Sequence, residues 1–267
     1  LMFKTRLLSG IVLVILVIGV LYLGGYVTAG AMLLLSLGGV FELLRIYKLH
    51  KTPIGIVTYI ATIIYYGLLI FDKSQFVMPL IIVLVLAILG IYVATYPKFT
   101  DKDAMAAVLS FMYVTVMLSY MYLIRDLNHG GALVVMVFVC SWVNDTCAYC
   151  VGVTLGKHKM TPKLSPKKSV EGLVGGIAGS AAFGALYGMF FNKQVMALEN
   201  APIIFAIIGA VGAVVAVIGD LAASAIKRNN DIKDYGKLIP GHGGIMDRFD
   251  SIIFTAPIIY YGFIYMI

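Results

Sequence analysis

Between Ser224 and Asp250 the chain concentrates its polar chemistry. Lys227, Arg228, Lys233, Lys237 and Arg248 supply cations, Asp231, Asp234, Asp247 and Asp250 supply carboxylates, and His242 lies among them. Apolar runs at 203–218 and 252–267 flank this stretch. Carboxylates hold hard cations such as Mg²⁺, and Lys and Arg hold phosphate oxygens. Gly241-His242-Gly243-Gly244 lets the backbone approach a ligand closely, and successive N–H groups in such a turn can cradle an anion. Asp247 and Asp250 stand three residues apart around Arg248. That combination suits a nucleotide–metal site. The plainer alternatives are a basic loop that only sets membrane orientation, and Asp247 and Asp250 acting as N-caps of the next helix.

Other polar residues sit in apolar surroundings. Asp220, Ser224 and Lys227 recur at i, i+4 and i+7, which lines them along one helix face. Asp220 with Asp247 makes a credible Mg²⁺ pair, and a salt-bridge anchor is the other reading of Asp220. Asp145 shares a face with Tyr149 at i,i+4. A carboxylate at membrane depth costs about 3 kcal/mol on insertion scales, so Asp145 has either a site role or an interhelical hydrogen bond. The segment 157–171 carries Lys157, Lys159, Lys163, Lys167 and Lys168. They form a phosphate clamp or a patch that attracts anionic lipid. His158 shows no partner and reads as a bystander. Glu42 reads as an i,i+3 ion pair with Arg45 that snorkels to the interface. Cys147 and Cys150 read as small buried residues, not a redox or zinc pair. Gly172-x-x-x-Gly176 and Gly175-x-x-x-Gly179 read as close helix packing.

The frame for these residues follows from composition. Of 267 residues 61% are hydrophobic and 12% charged. Soluble domains carry roughly twice that charge fraction. The expectation is an all-α polytopic membrane protein of about nine transmembrane helices. Windows of about 20 apolar residues place them near 7–24, 27–46, 53–71, 77–96, 104–124, 129–154, 170–191, 203–226 and 251–267. Lys4 and Arg6 precede the apolar run from Leu7, which reads as a first span. With the N-terminus cytoplasmic and the C-terminus opposite, all but three (Lys73, Arg125, Lys193) of the 20 basic residues fall inside. Loops 157–171 and 227–250 then share the cytoplasmic face. Topology therefore explains the net charge of +7, and no nucleic-acid partner is expected. Residues 1–128 form an N-terminal helical region (spans one to five) and 129–267 a catalytic one (spans six to nine). No internal repeat or soluble domain is evident.

The residues also carry a resemblance. Ser224, Lys227-Arg228, Lys233-Asp234, Gly236, Ile239-Pro240-Gly241-His242-Gly243-Gly244, Asp247-Arg248 and Asp250 resemble the signature of the phosphatidate cytidylyltransferase (CDP-diacylglycerol synthase) family. So does a second block: Asp145 to Tyr149, Gly156-Lys157, Ser165 to Ser169, and Glu171-Gly172. Together they cover about the C-terminal half. The resemblance implies conversion of CTP and phosphatidate to CDP-diacylglycerol and pyrophosphate, with Mg²⁺ (a second cation left open) and a homodimer. It implies a bacterial inner-membrane enzyme with a cytoplasmic active site. The expected metal ligands are Asp220 and Asp247, with Asp145 and Asp250 in or beside the shell. Lys167, Lys168, Lys227, Arg228 and Arg248 are expected on phosphates. Gly243 and Gly244 would cradle CTP, with His242 and Ser224 within hydrogen-bond reach. One departure stands out: the family usually carries Glu just before this Ser, and here the residue is Ala223. A CTP-dependent lipid or polyprenol kinase and an ion-coupled transporter are the alternatives. The lack of a repeat and the crowding of polar residues on one face weigh against transport.

Overall fold

The structure, a computed structural model, describes residues 2–191, 200–236, 238 and 243–266, with side chains from residue 10 onward. The described residues form nine long helices and one hairpin. The helices are α1 (Met2–Leu23), α2 (Gly25–Ile46), α3 (Pro53–Ile70), α4 (Val77–Ala94), α5 (Asp101–Asp126), α6 (Gly130–Leu155), α7 (Val170–Phe191), α8 (Ala201–Asn229) and α9 (Met246–Met266). Eight are long and apolar enough to cross a membrane, and α1 adds a shorter apolar stretch, Gly10–Leu23. The expected all-α membrane architecture is therefore what the chain adopts. Segment 157–171 departs from the expected loop. Strands β1 (Lys159–Thr161) and β2 (Ser165–Ser169) pair antiparallel there, around a turn closed by Leu164 N–H on the Thr161 carbonyl (3.2 Å). Pro162 occupies the second position of that turn, where its fixed φ is favoured.

The chain divides into two compact units, Leu1–Tyr122 with Asp234–Arg248, and Leu123–Lys233 with Phe249–Ile267. In the first, local sequence explains the helix ends. Gly24 and Gly25 both take positive φ (67° and 47°), which turns the chain sharply between α1 and α2. Thr52 caps α3 ahead of Pro53. Thr100 and Asp103 form a reciprocal capping box at α5. Between these helices buried hydroxyls pair: Ser36 with Tyr66 (2.9 Å), Thr62 with Thr115 (2.8 Å) and Tyr65 with Ser119 (3.0 Å). In an apolar medium such pairs satisfy each other and fix helix register.

The second unit is built on close approach. On α7, Gly172 and Gly176 face Ala148 of α6, while Gly184 and Gly188 face backbone of α8 at Phe205 and Ala201. A methyl at Gly172 would lie 2.8 Å from the Ala148 carbonyl oxygen. The packing reading of these glycines holds. The reading of the cysteines needs correction: Cys140 is buried, but Cys147 is half-buried against Gly179 and Cys150 is exposed. Only one stripe of α6 is covered by α7, and Cys150 lies off it.

Candidate functional site

A cavity of about 500 Å³ opens in the second unit. Three elements and the hairpin line it. From α6 come Asp145, Tyr149 and Gly152; from α8, Val217 and Asp220; from the start of α7, Gly172 and Leu173; from β1 and β2, Lys159, Met160, Lys167, Lys168 and Ser169. The i,i+4 spacing of Asp145 and Tyr149 brings both to the same wall. A π-helical turn, Val139–Val143, directly precedes Asn144-Asp145 in α6. Such turns shift the register of side chains and recur at functional sites.

The hairpin is pinned at its base. Glu171, in the first turn of α7, accepts the N–H groups of Lys157 (3.1 Å) and His158 (3.2 Å), and its carboxylate meets His158 Nδ1 at 2.6 Å. His158 is thus not a bystander, and the sequence signal for this lay in Glu171, an acid at a helix start. Ser169 caps α7 by accepting Gly172 N–H (3.1 Å). The cap and the Glu171 clasp fix the strand that carries Lys167 and Lys168.

Lys168 forms an ion pair with Asp220, both about a quarter to a third exposed. Lys168 and Asp220 also lie within electrostatic range of Asp145. Asp250 senses the charges of Asp220, Lys227 and Asp145. Four carboxylate and lysine positions expected from sequence (Asp145, Lys167, Lys168, Asp220) therefore line one cavity, and Asp250 and Lys227 belong to the same charge cluster. Ser224 follows Asp220 by one turn on α8 and is half-buried; Arg228 is exposed near the helix end. Ala223 is wholly buried, so a carboxylate at that position would be out of water. Among the described residues no three His, Cys, Asp or Glu side chains converge into a ready-made metal cage. Asp145 and Asp220 bring carboxylate oxygens to the cavity wall.

The remaining predicted residues are described in the first unit. His242 lies outside the described residues. Gly243 takes φ +87°, a conformation that favours glycine. Gly244 donates its N–H to Asp247 Oδ2 (3.0 Å), and Tyr235 N–H reaches the same oxygen (2.8 Å). That Gly244 N–H is thus directed at Asp247, and the carboxylate closes the loop on itself. Arg248 is exposed. α9 begins at Met246, so Asp247 is its second residue and Asp250 its fifth. Neither is the residue ahead of the first turn, which corrects the N-cap alternative. Glu42 also corrects its sequence reading. It is 4% exposed and accepts Ile245 N–H and Met246 N–H, both at 3.0 Å. Arg45 turns instead to the Tyr235 carbonyl (2.6 Å). A lone acid in an apolar helix was the signal; its partners lie over 200 residues away in sequence.

The chain matches the model of the Cytidylyltransferase family over residues 4–266. A protein of Staphylococcus epidermidis named phosphatidate cytidylyltransferase is 31% identical over 263 residues, covering 96% of this chain and 97% of its own. Proteins of the same name from Staphylococcus saprophyticus and Staphylococcus aureus are 33% and 32% identical, each with the same coverage. With the family model spanning nearly every residue and relatives of this identity aligned end to end, the chain belongs to the cytidylyltransferase family.

Proposed function

We propose that the chain is an integral membrane nucleotidyltransferase that converts CTP and phosphatidate to CDP-diacylglycerol and pyrophosphate. The observation that carries this reading is the cavity in which Asp145 and Asp220 face Lys167 and Lys168, within a frame of membrane-spanning helices. A phosphate oxygen of phosphatidate attacks the α-phosphorus of CTP. The bond from that phosphorus to the bridging oxygen of the β-phosphate breaks, and pyrophosphate leaves. The nucleophile is already anionic and needs little activation. The protein's task is to bring two polyanions together and to stabilise charge on the leaving group.

The residues divide that task. Asp145, Asp220 and Asp250 would hold Mg²⁺, which supplies charge neutralisation on the phosphates when bound. Lys167 and Lys168 act on phosphate oxygens, and the half-buried placement of Lys168 strengthens its field there. Lys227, Arg228 and Ser224 extend the same polar strip along α8. Arg248, Gly243, Gly244 and His242 are assigned to CTP, and Asp247 keeps its assignment from the sequence as a metal ligand. The asymmetry of basic residues supports a cytoplasmic site in a bacterial plasma membrane with the N-terminus inside. Phosphatidate enters sideways from the bilayer. A homodimer is proposed from the family resemblance.

Purified protein in detergent, given labelled CTP, Mg²⁺ and phosphatidate, tests the reading. Labelled CDP-diacylglycerol with stoichiometric pyrophosphate is the expected result. CDP with a newly phosphorylated lipid would replace the assignment by a lipid kinase.

A further inference from the structure

The first unit contains a buried acid that neither the cavity nor the proposed reaction uses. We infer that Glu42 is a positioning residue for the nucleotide loop, a fixed internal anion that binds the start of α9 and thereby sets the segment carrying Gly243, Gly244 and Asp247. The inference rests on the proposed assignment of that loop to CTP.

Three observations converge on it. The amides at the start of a helix carry partial positive charge and have no intrahelical partner. Those of Ile245 and Met246 both donate to Glu42, one to each carboxylate oxygen. The α2 face below is shaped to receive them. Gly38 and Gly39 have no side chain where Ile245 and Met246 pack; a methyl at Gly39 would lie 3.3 Å from Met246 Sδ. Gly236 and Gly244 sit directly against the Glu42 carboxylate, so a side chain at either would collide with it. Arg45, one turn further along α2, donates to the Tyr235 carbonyl (2.6 Å), whose own N–H reaches Asp247.

A consequence follows for the chemistry. A helix start with open amides would attract a phosphate. Here the protein's own carboxylate takes those amides, and Asp247 takes that of Gly244. Glu42 therefore excludes the α9 start as a phosphate subsite and fixes the geometry of the loop instead. A glutamine in its place presents one oxygen and one NH₂, so one of the two amides would face a donor. The loss of a charge-assisted hydrogen bond and the resulting small displacement are expected to cost about tenfold in CTP recognition.

The test compares wild type with Glu42→Gln and Arg45→Gln, both as full-length protein in detergent, using labelled CTP. The expected result for Glu42→Gln is a CTP KM raised about tenfold, with the phosphatidate KM within twofold of wild type. Arg45→Gln, which removes only the bond to the Tyr235 carbonyl, should raise the CTP KM by about twofold to fivefold and remains informative if Glu42→Gln does not fold. A folded Glu42→Gln with unchanged CTP KM, or equal changes in the KM of both substrates, would overturn the inference. Wild type that turns over neither lipid nor CTP would count against the reaction itself; labelled CTP binding by equilibrium dialysis then carries the comparison, with tighter wild-type binding expected and equal binding overturning it.

Discussion

Two groups of carboxylates in this protein are used in opposite ways. In the second unit Asp145 and Asp220 face a cavity, and the partner of Asp220 is a lysine side chain. In the first unit Glu42 and Asp247 accept backbone N–H groups, four between them. An ion pair between side chains at a cavity wall can be exchanged for a substrate phosphate or a metal ion at modest cost, because both ends stay near water. A carboxylate bonded to buried amides cannot be withdrawn without leaving those donors unsatisfied. The same residue type thus lines a cavity in one region and holds backbone amides in the other. The lesson is that the bonding partner, not the acid itself, identifies the role.

The comparison can be broken most directly at Asp220. Asp220→Asn should lower the rate of lipid product formation by about 10²-fold to 10³-fold, as expected for loss of a group that organises transition-state charge, with the protein still folded. A decrease of less than threefold would remove Asp220 from the site. Next in size, Lys168→Gln should reduce kcat/KM for CTP or phosphatidate by about tenfold to a hundredfold. Lys167→Gln, on a more exposed side chain, should cost less than Lys168→Gln in the same assay. A reversed order would mean that the ion pair with Asp220 is structural and that Lys167 carries the phosphate. The smallest effect is expected at a residue that belongs to neither group. Thr100→Ala breaks the capping box of α5 and should destabilise the protein by about 1 kcal/mol, seen as a lower midpoint in thermal unfolding in detergent, with both KM values unchanged.

Much of this was legible in the residues. The apolar windows marked every long helix, and their expected limits fall within a few residues of most of the observed ends. The span expected at 104–124 lies inside Asp101–Asp126, and that at 129–154 nearly coincides with Gly130–Leu155. The glycine spacing of α7 announced its packing. Asp145, Lys167, Lys168 and Asp220 were singled out by type and surroundings, and all four line one cavity. The hairpin was not legible. Its strands of three and five residues are too short for a periodic pattern, and its base is tied by Glu171, which lies outside either strand. Glu42 pairs with Arg45 on sequence spacing alone because Ile245, whose N–H it accepts, is remote in the chain.

Composition and periodicity determined the membrane setting, the helices and the residue types able to handle phosphate and cation, because burial in lipid demands long apolar helices and makes each polar exception costly. Which polar exceptions face a cavity and which are consumed by backbone amides was decided only by tertiary structure. That choice depends on contacts between residues far apart in the chain, such as Lys168 with Asp220 and Glu42 with Ile245, and no local pattern encodes those distances.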